Sequence, residues 1–208
     1  MSIKDRKSRE SAGLKQKILD AALRVFAEHG YSKVSMRKIA GLIDYSATTI
    51  YRFFRNKEDL LGAIAAETYG VLAARFEKVG TERDDRPVVR LKSLVEEYIL
   101  FCLERPDMYR MFSEIASFEI ENGVMYERLG GNRHQVFQSW FDSIRRAIDG
   151  GAFKIKDEMR VFLYLWDAAD GYIDNRIRYP EIPRKPPTED AAAYLALVFC
   201  GLESETKS

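Results

Sequence analysis

The chain has 208 residues, with 33 Lys and Arg balancing 32 Asp and Glu, and 46% hydrophobic residues. That composition excludes a wholly disordered or collagen-like chain and fits one large domain, or a small domain joined to a larger one. The longest apolar run, Ala191 to Cys200, is about half of the ~20 residues a membrane span needs. The charged N-terminus has no apolar signal core, and Cys102 and Cys200 stand far apart. A soluble, cytoplasmic protein with no membrane contact and no disulfide framework is expected.

Charge is spread unevenly. Residues 1–57 hold thirteen Lys and Arg against five Asp and Glu, a surplus of eight, which leaves residues 58–208 with an acidic excess of seven. One end is suited to a polyanion and the rest is not. The first helix carries Leu14, Ile18, Ala21, Ala22, Val25 and Phe26 at helical spacing, and Gly30 stops it. Ser35 caps a short second helix with Met36, Ile39, Ala40 and Ile43 turned inward, and Ser46 caps a third through Tyr51. Asn56 caps a fourth, running uninterrupted from about Lys57 to Val79, with Leu60, Leu61, Ile64, Ala65 and Leu72 on its apolar face. After a charged connector, Thr81 to Arg86, Pro87 and Pro106 open two more helices. Beyond a looser stretch at Gly123 and Gly130 come a helix from about Asn132, the longest from Lys156 to Tyr179, and a last one capped by Thr188. No strand-like alternation competes, so the fold class is all-α with about nine helices.

The most specific signal is residues 35–54. Two short helices meet at Asp44-Tyr45, a turn tight enough to require positive φ, which Asp tolerates at about 1 kcal/mol over Gly. The second of them presents Ser46, Ala47, Thr48 and Thr49 and then Tyr51-Arg52. Small side chains let a helix approach base edges in a major groove, while hydroxyls and Arg donate to bases or phosphates.

Ile18-Leu19-Asp20-Ala21-Ala22, Phe26-Ala27-Glu28-His29-Gly30-Tyr31, Met36-Arg37-Lys38-Ile39-Ala40, Ser46-x-x-Thr49-Ile50-Tyr51-Arg52-x-Phe54 and Asn56-Lys57-Glu58-Asp59-Leu60-Leu61 follow one another at fixed spacing. Together they resemble the DNA-binding domain of the TetR/AcrR family of transcriptional regulators. The resemblance implies a flexible basic arm (1–11), a DNA-binding three-helix bundle (12–61, helix-turn-helix about 35–54) and a larger C-terminal domain (62–208) for ligand binding and dimerisation. It implies that Ser46, Ala47, Thr48 and Thr49 face bases or nearby phosphates, with Arg52 donating beside them. Tyr51, Ser35, Arg37 and Lys57 would hold the phosphate backbone. Lys4, Arg6, Lys7 and Arg9 of the arm are either further contacts or a solvated tail. Three positions depart from the pattern: Asp44 stands where Gly is common, Gly41 where a charged residue is common, and Phe53 where His is frequent. Phe53 offers stacking or a thymine-methyl contact and no hydrogen bond, so the base preference there does not carry over.

The remaining two-thirds has no catalytic grouping. His29 and His134 lack the neighbours a nucleophile or a metal needs, and no phosphate-binding Gly loop is present. Neither an enzyme nor a metal or cofactor site is expected. Its aromatic load suggests an apolar pocket with Phe101, Tyr109, Phe112, Phe137, Phe141, Trp166 and Asp170, although ordinary core packing explains any one of these rings. Trp166-Asp167-Ala168-Ala169-Asp170-Gly171 resembles a Trp-x-x-x-His-Gly signature of some TetR-like C-terminal domains, with Asp170 in place of His. The effector is expected to be aromatic or hydrophobic. It would be cationic if Asp167, Asp170 and Asp174 point inward, whereas Asp174 paired with Arg178 at i+4 is the plainer reading.

The final helix is apolar all round and must be covered on nearly every side. Ala192, Leu195, Ala196 and Phe199, with Val161, Leu165 and Ala169 of the long helix, are expected to form a four-helix homodimer interface; burial within one subunit is the alternative. The expected function is a homodimeric repressor released from a palindromic double-stranded operator by a small molecule. An activator, a ligand-promoted regulator, or an all-α ligand-binding or interaction protein without DNA binding are the alternatives.

Overall fold

The computed structural model describes residues 3–79, 86–122 and 131–204. Within them the chain forms α1 (Ile3–His29), a 3-10 turn (Tyr31–Lys33), α2 (Met36–Leu42), α3 (Ala47–Tyr51), α4 (Lys57–Val79) and α5 (Pro87–Glu104). α6 (Pro106–Asn122), α7 (Gly131–Asp149), α8 (Glu158–Arg178) and α9 (Pro187–Leu202) follow. Among the described residues the fold is all helical apart from one isolated antiparallel bridge, Phe153 to Glu203. Most of the expected connector after Thr81, and the stretch from Gly123 to Gly130, lie outside the described residues.

Two helix starts differ from expectation. The basic segment expected as a flexible arm is the first third of α1. It is rich in Lys, Arg and Glu, which favour helix, and Arg6 and Glu10 pair at 3.5 Å one turn apart. Gly13, with open space around it, does not interrupt the helix. Thr188 does not cap α9: Pro187 occupies its first turn and the cap residue is Pro186, with no side-chain hydrogen bond.

The chain divides into two compact units, residues 1–68 with 107–130 and residues 69–106 with 131–208. The sequence suggested a boundary after residue 61, with everything later in one body; instead α6 joins the first unit. In that unit Ile18, Ala22 and Phe26 of α1 are buried with Ile39 of α2, Ile50 of α3 and Leu60 of α4, while Met111 and Ile115 are the buried face of α6. α2 packs on α1 and α3. Burying Ile50 completely, worth about 1.5–3 kcal/mol, anchors a helix of five residues that could not persist alone.

The second unit is built around α5, which packs on α7, α8 and α9. Its Leu91, Leu94, Val95, Tyr98 and Cys102 repeat at helical spacing and are buried. The loop after α7 returns to the end of α9, where the Lys154 amide donates to Leu202 O (2.9 Å) and the Ser204 amide to Ala152 O (2.8 Å).

Candidate nucleic-acid interface

The helix-turn-helix is held by backbone chemistry that its residues dictate. Ser35 caps α2, its Oγ accepting from the Lys38 amide at 3.2 Å. Asp44 ends the helix with φ 57°, and among described residues it is the non-glycine with positive φ. The Tyr45 amide then closes back on Ala40 O at 3.0 Å. Ser46 caps α3, accepting from the Thr49 amide at 3.2 Å, and its hydroxyl meets Thr49 Oγ1 at 3.0 Å. Ile50 and Phe54 face inward. Asn56 Oδ1 accepts from the Asp59 amide at 2.7 Å and starts α4. Asp59 in turn accepts from the Arg55 amide (3.0 Å) and pairs with its guanidinium, which holds the carboxyl below the ordinary carboxylate range.

The ten residues expected to touch DNA fall into distinct groups. Arg37, Thr48, Tyr51 and Arg52 are exposed, Tyr51 by 52%. The Arg37 and Arg52 guanidiniums have no ion-pair or hydrogen-bond partner among the described residues. Ser35 and Ser46 are also exposed, but each hydroxyl already serves as a cap. Ala47, Thr49 and Phe53 are half-buried on the same short helix and its end. Lys57 is half-buried at the start of α4. Its ammonium donates to Tyr31 O at 2.9 Å and lies 4.0 Å from the centre of the Tyr31 ring, which ties it to the turn before α2. The sequence reading passed over Leu42 (56% exposed) and Tyr45 (42%), which the turn pushes to the surface. Their signal was available: both lie off the face defined by Met36, Ile39 and Ala40.

In the second unit the aromatic residues pack largely on one another. Trp166 stacks on Tyr98 (5.2 Å between centroids) and on Phe137 (6.1 Å), and Phe162 stacks on Phe141 (5.0 Å) and meets Trp140 edge-on (5.6 Å). Of the residues expected to line a pocket, Phe101 is fully buried beneath the Arg75 guanidinium, and Tyr109 and Phe112 belong to the first unit. Asp170 is half-buried, close enough to Cys102 for its charge to raise the thiol pKa, although burial of that thiol is the larger cause. Asp174 pairs with Arg178 at 2.9 Å, and Asp167 is exposed. A groove of about 410 Å³ lies between α8 and α9, lined by Asp167, Gly171, Tyr172, Arg176, Asp190 and Tyr194 among others, and by none of the seven expected residues.

The expected dimer residues also divide. Val161, Leu165, Ala169, Leu195 and Phe199 are buried within the subunit, so they are core and cannot face a partner. Ala192 and Ala196 are exposed. With them α8 and α9 leave Leu163 (46%), Tyr164 (50%), Ala193 and Leu197 (77%) uncovered. Five of the seven residues expected at an interface are therefore core in this structure, and the exposed apolar residues of both helices are others. Uniform apolarity around α9 gave no phase to choose by.

Comparison with known proteins agrees with this architecture. Residues 18–64 match the family model of bacterial regulatory proteins, tetR family. The HTH-type transcriptional repressor Rv1474c of Mycobacterium tuberculosis is 37% identical over 76 residues, 35% of this chain and 41% of that protein, so the chain spans well under two-thirds of that relative. The uncharacterized HTH-type transcriptional regulator Rv1556 of the same organism is 27% identical over 86% of this chain and 81% of its own length. A TetR family transcription regulator from Marinobacter aquaeolei VT8 shares the fold with a TM-score of 0.75 at 17% identity, covering 96% of this chain and all of that one. The capped helix-turn-helix of the first unit lies inside the segment that matches the family model. Residues 18–64 thus resemble the tetR family of bacterial regulatory proteins, and the fold of the whole chain is that of solved TetR family regulators.

Proposed function

We propose that the protein is a homodimeric repressor that binds a palindromic operator in the cytoplasm and is released when a small aromatic or hydrophobic molecule binds its second unit. The observation that carries the reading is the exposed set Arg37, Thr48, Tyr51 and Arg52, whose two guanidiniums are unengaged among the described residues, on a helix-turn-helix whose two helices are N-capped by Ser35 and Ser46. Donors held this way meet phosphates and base edges without first breaking internal bonds. Dimerisation is supported by the uncovered apolar face of α8 and α9, Leu163, Tyr164, Ala192, Ala193, Ala196 and Leu197. A two-fold dimer places two recognition helices about 34–36 Å apart, one turn of duplex.

Release is supported by α4, one continuous helix whose residues fall in both units. A ligand acts only through its difference in affinity for the bound and released conformations; about 2.7 kcal/mol of preference weakens DNA binding about 100-fold. A ligand preferring the DNA-bound conformation instead promotes binding. The similarity to Rv1474c, a transcriptional repressor, favours repression over activation. An aromatic or hydrophobic effector suits the ring-rich second unit. A cationic one has less support, because Asp174 is paired and Asp167 faces solvent.

The test is selection of bound duplexes from a random library with purified protein. Enrichment of a two-fold symmetric consensus supports the reading. Absence of enrichment at low salt overturns DNA binding, and an asymmetric single half-site overturns the dimer.

A further inference from the structure

Tyr31, in the turn between α1 and α2, is held from every side. Its amide donates to Glu114 Oε2 of α6 at 2.7 Å. Its carbonyl accepts from Lys57 Nζ at 2.9 Å, and its hydroxyl donates to Glu58 Oε1 at 3.1 Å. Its ring packs edge-on against Phe26 of α1 (5.4 Å) and Phe118 of α6 (5.3 Å). The residue before it, Gly30, has φ 80°, a left-handed conformation that favours glycine.

The chain geometry gives this cluster its meaning. The helix-turn-helix is strung between two supports, the Tyr31–Lys33 turn before α2 and the Asn56-Lys57 start of α4 after α3. Both supports converge on Tyr31, the first through its own backbone and the second through Lys57 and Glu58. Glu114 fixes the peptide that carries Tyr31. It lies fifty residues beyond the segment that matches the family model, on a helix that follows directly from α5. A carboxylate accepting from a backbone amide is among the stronger hydrogen bonds, and this one is partly shielded from water.

We propose that Glu114 is a positioning residue for DNA binding: by clasping the Tyr31 amide it fixes both ends of the helix-turn-helix and so sets the pose of α3. The inference rests on the DNA-binding reading above. Glu114 itself contacts no phosphate. Losing it therefore weakens binding without changing the number of counterions released, which sets it apart from Arg52.

The experiment measures fluorescence anisotropy with the selected duplex at several salt concentrations, on wild type, Glu114→Ala, Glu114→Gln and Arg52→Ala, with thermal midpoints for each. Glu114→Ala is expected to bind about ten-fold more weakly with an unchanged salt slope. Glu114→Gln, whose amide oxygen still accepts from Tyr31, recovers most of that loss, while Arg52→Ala lowers the slope by about 0.9. Affinity equal to wild type, with or without a lower thermal midpoint, reduces Glu114 to a structural contact and overturns the proposal. So does a reduced slope in Glu114→Ala. Should that variant fail to fold, Glu114→Asp, one methylene too short for the clasp, takes its place with the same outcomes. A wild type that binds no duplex overturns the DNA-binding reading itself, whereas a binding wild type and an indistinguishable Glu114→Ala overturn this inference alone.

Discussion

The two units use the same kinds of side chain for opposite ends. In the first, large and charged residues of α2 and α3 stand at the surface because very short helices have few inward positions, and N-caps together with a few buried side chains hold the helices in place. Tyr51 is half exposed and Arg52 unengaged, while Ile50 between Thr49 and Tyr51 supplies the anchor. In the second, Tyr98, Trp140 and Phe162 are buried among one another on long helices. A ring on the outer face of the helix-turn-helix, such as Tyr51, is therefore evidence about a surface, whereas a ring in the second unit is first of all evidence about a core.

The largest effect that tests this contrast comes from a pair of substitutions. Trp140 is 1% exposed and touches Tyr98, Phe162 and Trp166, so Trp140→Ala removes a keystone at about 3–5 kcal/mol. Tyr51→Ala stays within about 0.5 kcal/mol of wild type in urea denaturation, yet loses DNA affinity. Equal destabilisation by the two erases the distinction between the units. Next in size is Leu197→Glu, which sets a charge in the middle of the exposed α8–α9 stripe; light scattering is expected to show a monomer at concentrations where wild type is dimeric. An unchanged mass moves the interface elsewhere. Smaller again are Arg37→Ala and Arg52→Ala, each costing DNA affinity about ten-fold at moderate salt and lowering the salt slope by about 0.9. Slopes equal to wild type remove both arginines from the phosphate contacts.

The legibility of the sequence follows the same division. Caps and turns are local, so Ser35, Ser46, Asn56 and the positive φ of Asp44 could be read from a few residues each, and the structure has all four. Asp44→Gly accordingly raises stability by about 1 kcal/mol in thermal melts. Long-range choices could not be read. Nothing near Lys57 in sequence announces Tyr31, twenty-six residues earlier, as an acceptor of its ammonium. Glu114 carried no signal at all, since its partner lies eighty-three residues away. The buried side of α9 was equally hidden: a helix apolar all round has no periodicity to say whether Leu195 or Leu197 faces the core, and the answer, Leu195, comes from packing alone.

The smallest effect concerns the α8–α9 groove, where a surface-like polar set is built into the ring-rich unit. The Tyr172 hydroxyl donates to Asp190 at 3.0 Å, Asp190 pairs with Arg176, and that guanidinium covers the Tyr172 ring at 4.7 Å. Burial, and then the hydrogen bond to a carboxylate, raise the phenol to about 12. A folded-state pKa above the unfolded value of 10.0 means that the protonated phenol stabilises the fold. That stability is fully present below pH 10 and is lost as pH climbs through about 12. Lysines titrate in the same range, so the informative quantity is the difference between wild type and Tyr172→Phe. Stability curves of the two measured from pH 9 upward converge as the phenol ionises, because the advantage that the hydroxyl confers disappears with its proton. Parallel curves across that window mean that the phenol exchanges its proton as freely in the folded chain as in the unfolded one, and that the tyrosine serves the groove through its ring alone.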